Sequence, residues 1–153
     1  MPQQFASRRY RFRVALTKDW SARDALVDWN GKKLQGLDSA AFANFTYPPT
    51  DRTLVAGAAP VTKRMTLARW RTAMVRAAPT VCADSASAEA TAIGGEPALT
   101  WTAACSDGYD VNKLVALHET RGYIILLASP IGHDRGETQR TFESIRRSFR
   151  FTP

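Results

Sequence analysis

Cys82, Cys105, His118, His133, Asp107 and Asp110 are the side chains whose types could carry covalent or acid–base chemistry. The two cysteines match no zinc or redox spacing. The two histidines show no H-E-x-x-H or comparable pattern and cannot hold zinc without carboxylate or thiolate help. Cys105, His118 and Asp107 have the types needed for a thiolate nucleophile, its base and an orienting acid, yet no spacing positions them together. Asp107 and Asp110 flank Gly108 and read as turn formers rather than as a general acid and base. Gly94-Gly95 lacks a phosphate-loop pattern, with no lysine after it, and there is no serine-hydrolase elbow. The chain is therefore read as a non-enzyme, with no catalytic, cofactor-binding or metal-binding residue and no cofactor.

Charge is the other source of chemistry. The net formal charge is +7. Residues 1–33 hold eight basic side chains against three acidic ones, whereas residues 77–112 hold no Lys or Arg and five acids, Asp84, Glu89, Glu96, Asp107 and Asp110. Such asymmetry bears on partners and association rate rather than on fold. Arg9, Arg11 and Arg13, with Lys32 and Lys33, are the candidate contacts for an acidic partner. Solvated basic surface is the bland alternative. Nucleic acid is disfavoured, because no helix has a dense basic face and the aromatics beside the arginines point inward.

The elements that position these residues follow from periodicity. In RRYRFRVAL, Tyr10, Phe12 and Val14 alternate toward a core while Arg9, Arg11 and Arg13 alternate toward water, which predicts a half-buried first strand. Outward arginines there also discourage edge-to-edge pairing. Residues 25–29 read as a short strand closed by an Asn30-Gly31 hairpin turn, with Lys32 and Lys33 at its tip. Residues 39–47 and 53–59 read as strands. Thr66 caps a helix whose Leu67, Trp70, Met74, Ala77 and Ala78 share one face, ended by Pro79. Trp70 is a core residue. Residues 94–130 give three consecutive strands, 98–103, 112–118 and 123–129, the last apolar on both faces and in need of cover on both. Thr138, Phe142, Ile145 and Phe149 mark a second amphipathic helix, and Phe149 and Phe151 alternate in an extended tail.

The fold class that results is α+β: an α/β/α sandwich with a central, mainly antiparallel sheet of about six strands and helices on both faces. At 153 residues the chain is expected to be one domain, 1–153. No stretch reaches the length of a membrane span. The opening MPQQFASRRYRF has no apolar export region, so the expectation is a cytoplasmic protein if Met1 is the native start, and an extracytoplasmic one if an export segment has been removed. In this topology Cys82 and Cys105 lie at the same end of neighbouring strands and can bond, closing about 24 residues for roughly 3 kcal/mol and implying an oxidising compartment. Two buried free thiols are the alternative, and a reactive thiol the third reading.

The order of YRFRVAL and Trp20, the central helix, GGEPALTWTAAC, the hairpin VALHETRGYIILLAS and the terminal FESIRRSFRF resembles the PsbP-like family over nearly the whole chain. That family includes the extrinsic PsbP subunit of photosystem II, a Ran-binding nuclear import factor and bacterial envelope lipoproteins. The resemblance implies the sandwich fold, structural roles for Tyr123, Phe142 and Phe149, and a non-catalytic role in binding proteins or assembling complexes. It supplies no catalytic residues. The expected function is thus a binding or assembly domain for another protein or a cell-envelope component. The alternative is a small-ligand carrier or enzyme with a pocket between sheet and helix.

Overall fold

The computed structural model describes residues 3–34 and 39–153. Met1, on which the compartment expectation turns, lies outside them. Eleven strands are present among the described residues: β1 (Gln3–Ser7), β2 (Phe12–Leu16), β3 (Ser21–Arg23), β4 (Ala43–Tyr47), β5 (Arg52–Pro60), β6 (Cys82–Asp84), β7 (Glu89–Ile93), β8 (Glu96–Cys105), β9 (Tyr109–His118), β10 (Arg121–Pro130) and β11 (Arg150–Phe151). Two helices, α1 (Leu67–Ala77) and α2 (Arg135–Ser148), accompany them.

The large sheet is antiparallel with the order β3-β4-β5-β10-β9-β8-β6, and β7 pairs with β8 beside β6. Its eight strands exceed the expected six because short segments at both edges, β3 and β6, pair as well. Three-residue strands carry too little alternation to stand out in sequence. β10 is central, and its residues from Gly122 to Ser129 are all buried, as a run apolar on both faces requires.

One face of that sheet is covered by α1. Gly122 lies under the Trp70 indole so closely that a β-carbon there would collide with the ring, and Trp70 Nε1 donates to the Tyr123 carbonyl at 2.9 Å. Thr66 caps the helix, its hydroxyl accepting from Arg69 N at 3.2 Å. The opposite face is covered by α2 and by a small sheet of order β1-β2-β11. Arg52 of β5 reaches α2 from that face, and the Tyr123 hydroxyl donates to the Tyr10 carbonyl at 2.6 Å. Phe12 stacks on Phe149 with centroids 4.8 Å apart, which fastens β2 to the end of α2.

Two local expectations are corrected. Residues 8–11 form the turn between β1 and β2, with Arg11 at φ 54°, so the strand expected over RRYRFRVAL is β2, which begins at Phe12, and a strand, β1, precedes it. Asp24 causes this: its carboxylate accepts from Ser7 Oγ at 2.7 Å, Arg8 N at 3.0 Å and Arg9 N at 3.4 Å, which closes the turn. Tyr10, Phe12 and Val14 are buried as expected. Residues 25–29 are not a strand; Ala25 and Trp29 are buried, but side chains of the first turn take backbone groups that a ladder would have used. Asn30-Gly31 bends the chain, Gly31 having φ 77° and Lys32 N bonding to Asn30 Oδ1, but with no strand before it there is no hairpin with Lys32 and Lys33 at its tip.

Candidate functional site

The structure divides the five basic residues singled out in sequence. Arg9 is drawn inward: Nε and Nη2 donate to the carbonyls of Ala25 and Leu26 at 3.2 and 2.9 Å, and Nη1 pairs with Asp28 at 2.6 Å. It is a brace between two loops. Lys32 and Lys33 are exposed on the α1 side, where Leu34 N donates to the Ala77 carbonyl. Arg11 and Arg13 are exposed on the small sheet. These residues therefore do not form one patch.

Arg13 gains a partner that alternation in the first strand alone did not disclose. In the β2–β11 ladder Arg13 stands opposite Arg150, both side chains exposed, while the next pair, Phe12 and Phe151, turns the other way. Like charges directly opposite each other destabilise a strand pair. No carboxylate forms an ion pair with Arg11, Arg13 or Arg150 among the described residues, while Arg147 lies in the field of Glu143. Arg150 Nη1 is turned onto the carbonyls of Arg147 and Phe149, both at 2.7 Å. Arg13 and Arg150 thus make an outward cationic site in which Arg150 is held by the end of α2 and no carboxylate offsets either charge within ion-pair distance among the described residues. Arg150 was visible in sequence only as part of RRSFRF; its register against Arg13 is a tertiary fact.

The other polar clusters are already internally satisfied. Asp110, His133 and Thr138 are arranged as acid, imidazole and hydroxyl, with His133 Nε2 3.1 Å from Asp110 and Nδ1 2.6 Å from Thr138 Oγ1. That hydroxyl is not a nucleophile. It also receives Arg52 Nε and Nη2 at 3.2 and 2.7 Å, lies 3.0 Å from the Asp134 carbonyl, and is buried. Arg52, itself buried, completes the tie through Glu137 at 3.0 Å and Thr50 at 2.8 Å. The cluster locks β5 to the start of α2. Under α1, Lys113 Nζ and Trp101 Nε1 both reach Asp84 Oδ1, at 2.7 and 2.8 Å, in a buried ion pair.

His118 stacks flat on Phe151, centroids 4.0 Å apart, and its Nδ1 meets Glu96 at 2.8 Å, so it seats the chain's tail. Cys82 and Cys105, register partners of β6 and β8, form a disulfide, which leaves Cys105 no thiolate for the Cys105, His118, Asp107 arrangement. The recess between β2, Tyr47 and α2, about 260 Å³, is lined by Leu16, Trp20, Arg52, Glu137, Arg140 and Ile145. Its Arg52 and Glu137 are spent on each other. It falls below the roughly 300–1,000 Å³ of ordinary ligand pockets, whereas a second recess of about 340 Å³ between β8, β9 and α2, lined by Asp110, His133, Arg135, Thr138 and Gln139, lies at the lower end of that range.

Electrostatic shifts follow burial and helix ends. Burial pushes the Tyr10 and Tyr123 phenols up. The Asp134 carboxyl, which accepts the Glu137 N–H at the start of α2, is held low. Arg146 holds Glu143 low through a hydrogen bond and is itself raised.

No family model matches this chain, and no curated protein matches it significantly. Solved structures do. The chain is similar to the solution structure of cyanobacterial PsbP (CyanoP) from Synechocystis sp. PCC 6803, with a TM-score of 0.64, 14% identity and coverage of 98% of this chain and 92% of that one. It is also similar to LpqN of Mycobacterium tuberculosis, a protein involved in cell envelope biogenesis, with a TM-score of 0.56, 13% identity and coverage of 100% and 85%. The protein has the PsbP-like fold. At these identities the likeness concerns architecture, and site chemistry must come from this chain's own residues.

Proposed function

We propose that this chain is a non-catalytic binding or assembly domain of the cell envelope, which docks an acidic protein through the cationic outer face formed by Arg13 and Arg150. The observation that carries this is their direct opposition across β2 and β11 without a compensating carboxylate among the described residues. Local rules of this kind are broken most often at functional sites. Arg11 and Arg147, also exposed, extend the same charge. Support for the envelope comes from the Cys82–Cys105 disulfide, which persists in oxidising compartments, and from the envelope role of the structurally similar LpqN.

Chemical cross-linking in an envelope extract, comparing the wild-type chain with the R13E/R150E double variant, tests this reading. A specific adduct formed by the wild type and lost in the variant is expected. The same adduct from both proteins would remove the arginines from the account.

A further inference from the structure

Leu26 and Val27 are adjacent, 64% and 52% exposed, and form the one pair of neighbouring exposed large apolar side chains among the described residues. Scattered exposed aliphatics need no explanation, but these two sit on a segment with an unusual backbone. Ala25 N donates to Asp24 Oδ1 at 2.9 Å, and Leu26 N and Val27 N both donate to the Ala40 carbonyl, at 2.8 and 3.2 Å. The carbonyls of Ala25 and Leu26 receive Arg9 Nε and Nη2. The Val27 carbonyl faces the Tyr10 hydroxyl at 3.4 Å. A surface loop normally leaves such groups to water. Here the chain itself satisfies all of them but the Val27 carbonyl, the Tyr10 proton going to the Ala41 carbonyl at 2.6 Å, which removes most of the cost of taking the loop out of water.

The surrounding charge is also arranged. Asp28 is neutralised by Arg9 at 2.6 Å, and Asp24 is occupied by Ser7 and the N–H groups of residues 8, 9 and 25. Arg8 and Arg11, in the same β1–β2 turn that braces the tip, are exposed and in no ion pair among the described residues. Aliphatic side chains on a prefolded, backbone-satisfied tip, flanked by free cations, match the boundary between anionic headgroups and acyl chains. Leu and Val are poor anchors for a protein pocket, where Trp, Tyr and Arg dominate.

We propose that the tip formed by Leu26 and Val27 is a membrane-surface anchor that inserts shallowly into an anionic leaflet, with Arg8 and Arg11 on the headgroups. The proposal shares Arg11 with the margin of the Arg13–Arg150 face but rests on Leu26 and Val27, and it stands without that arginine pair. Co-sedimentation of the full chain with phosphatidylglycerol/phosphatidylcholine vesicles tests it, using the wild type, L26S/V27S and R13E/R150E, each checked for folding by circular dichroism. Wild-type binding to the anionic vesicles is expected, weakened about tenfold or more in L26S/V27S. Failure of the wild type to bind, or equal binding by L26S/V27S, overturns the anchor. Loss of binding confined to R13E/R150E also overturns it, while leaving the arginine site standing.

Discussion

Arg13 and Arg150 are register partners across the β2–β11 ladder, both exposed, while the neighbouring pair Phe12 and Phe151 is turned inward. If the repulsion is tolerated for the sake of a partner, removing it should help folding. Arg13→Glu converts the pair to opposite charges, keeps the bonds of Arg150 to the Arg147 and Phe149 carbonyls, and is expected to leave stability unchanged or raise it by about 0.2–1 kcal/mol, as measured by denaturant midpoints. A clear loss of stability would show that Arg13 serves the fold.

The disulfide joins residues separated by 23 positions at the edge of the large sheet. Reduction is expected to destabilise the chain by about 3 kcal/mol. Alkylation of the denatured protein before and after reduction, read by intact mass, should find both thiols protected until reduced. Free alkylation of both would point to a reducing compartment.

Lys113 and Asp84 are buried beneath α1 and hold each other at 2.7 Å. Lys113→Met alone leaves the Asp84 carboxylate buried without its cation and is expected to cost about 3–5 kcal/mol. Adding Asp84→Leu should recover much of that loss, because the penalty lies in the stranded charge. A double variant as unstable as the single one would show that packing against Trp101 is what matters.

The phenols of Tyr10 and Tyr123 titrate above their ordinary value because burial disfavours the phenolate. A raised folded-state pKa means that the stabilisation is complete below the unfolded value, about 10, and is lost as pH rises through the folded value. Alkaline unfolding is therefore expected to coincide with ionisation of these two tyrosines in ultraviolet absorbance. Tyr123→Phe should lose about 1 kcal/mol from the bond to the Tyr10 carbonyl and soften that transition. Phenolate absorbance appearing well before unfolding would contradict the burial argument.

Long periodic stretches were legible in sequence: the Thr66 cap, the Trp70 and Met74 face of α1, the Phe142 and Ile145 face of α2, and the twice-buried β10. The turn at residues 8–11 was not, because Asp24 closes it from a distance and alternation cannot report a remote carboxylate. Nor was the small sheet, since β11 is two residues long and exists only by pairing with β2. Lys113 did leave a signal, a cation inside VNKLVAL, which calls for a buried partner. Of the five basic residues expected to bind, Arg9 turned out to be a brace, and Arg13 met an arginine from the other end of the chain.

Binding of the labelled full chain to washed cell-envelope fragments, wild type against R13E/R150E, tests the docking role of the Arg13–Arg150 face. Saturable wild-type binding that falls as salt rises is expected, with the folded variant bound at least about tenfold more weakly. Equal binding by the two proteins, or no saturable binding by the wild type, would contradict it.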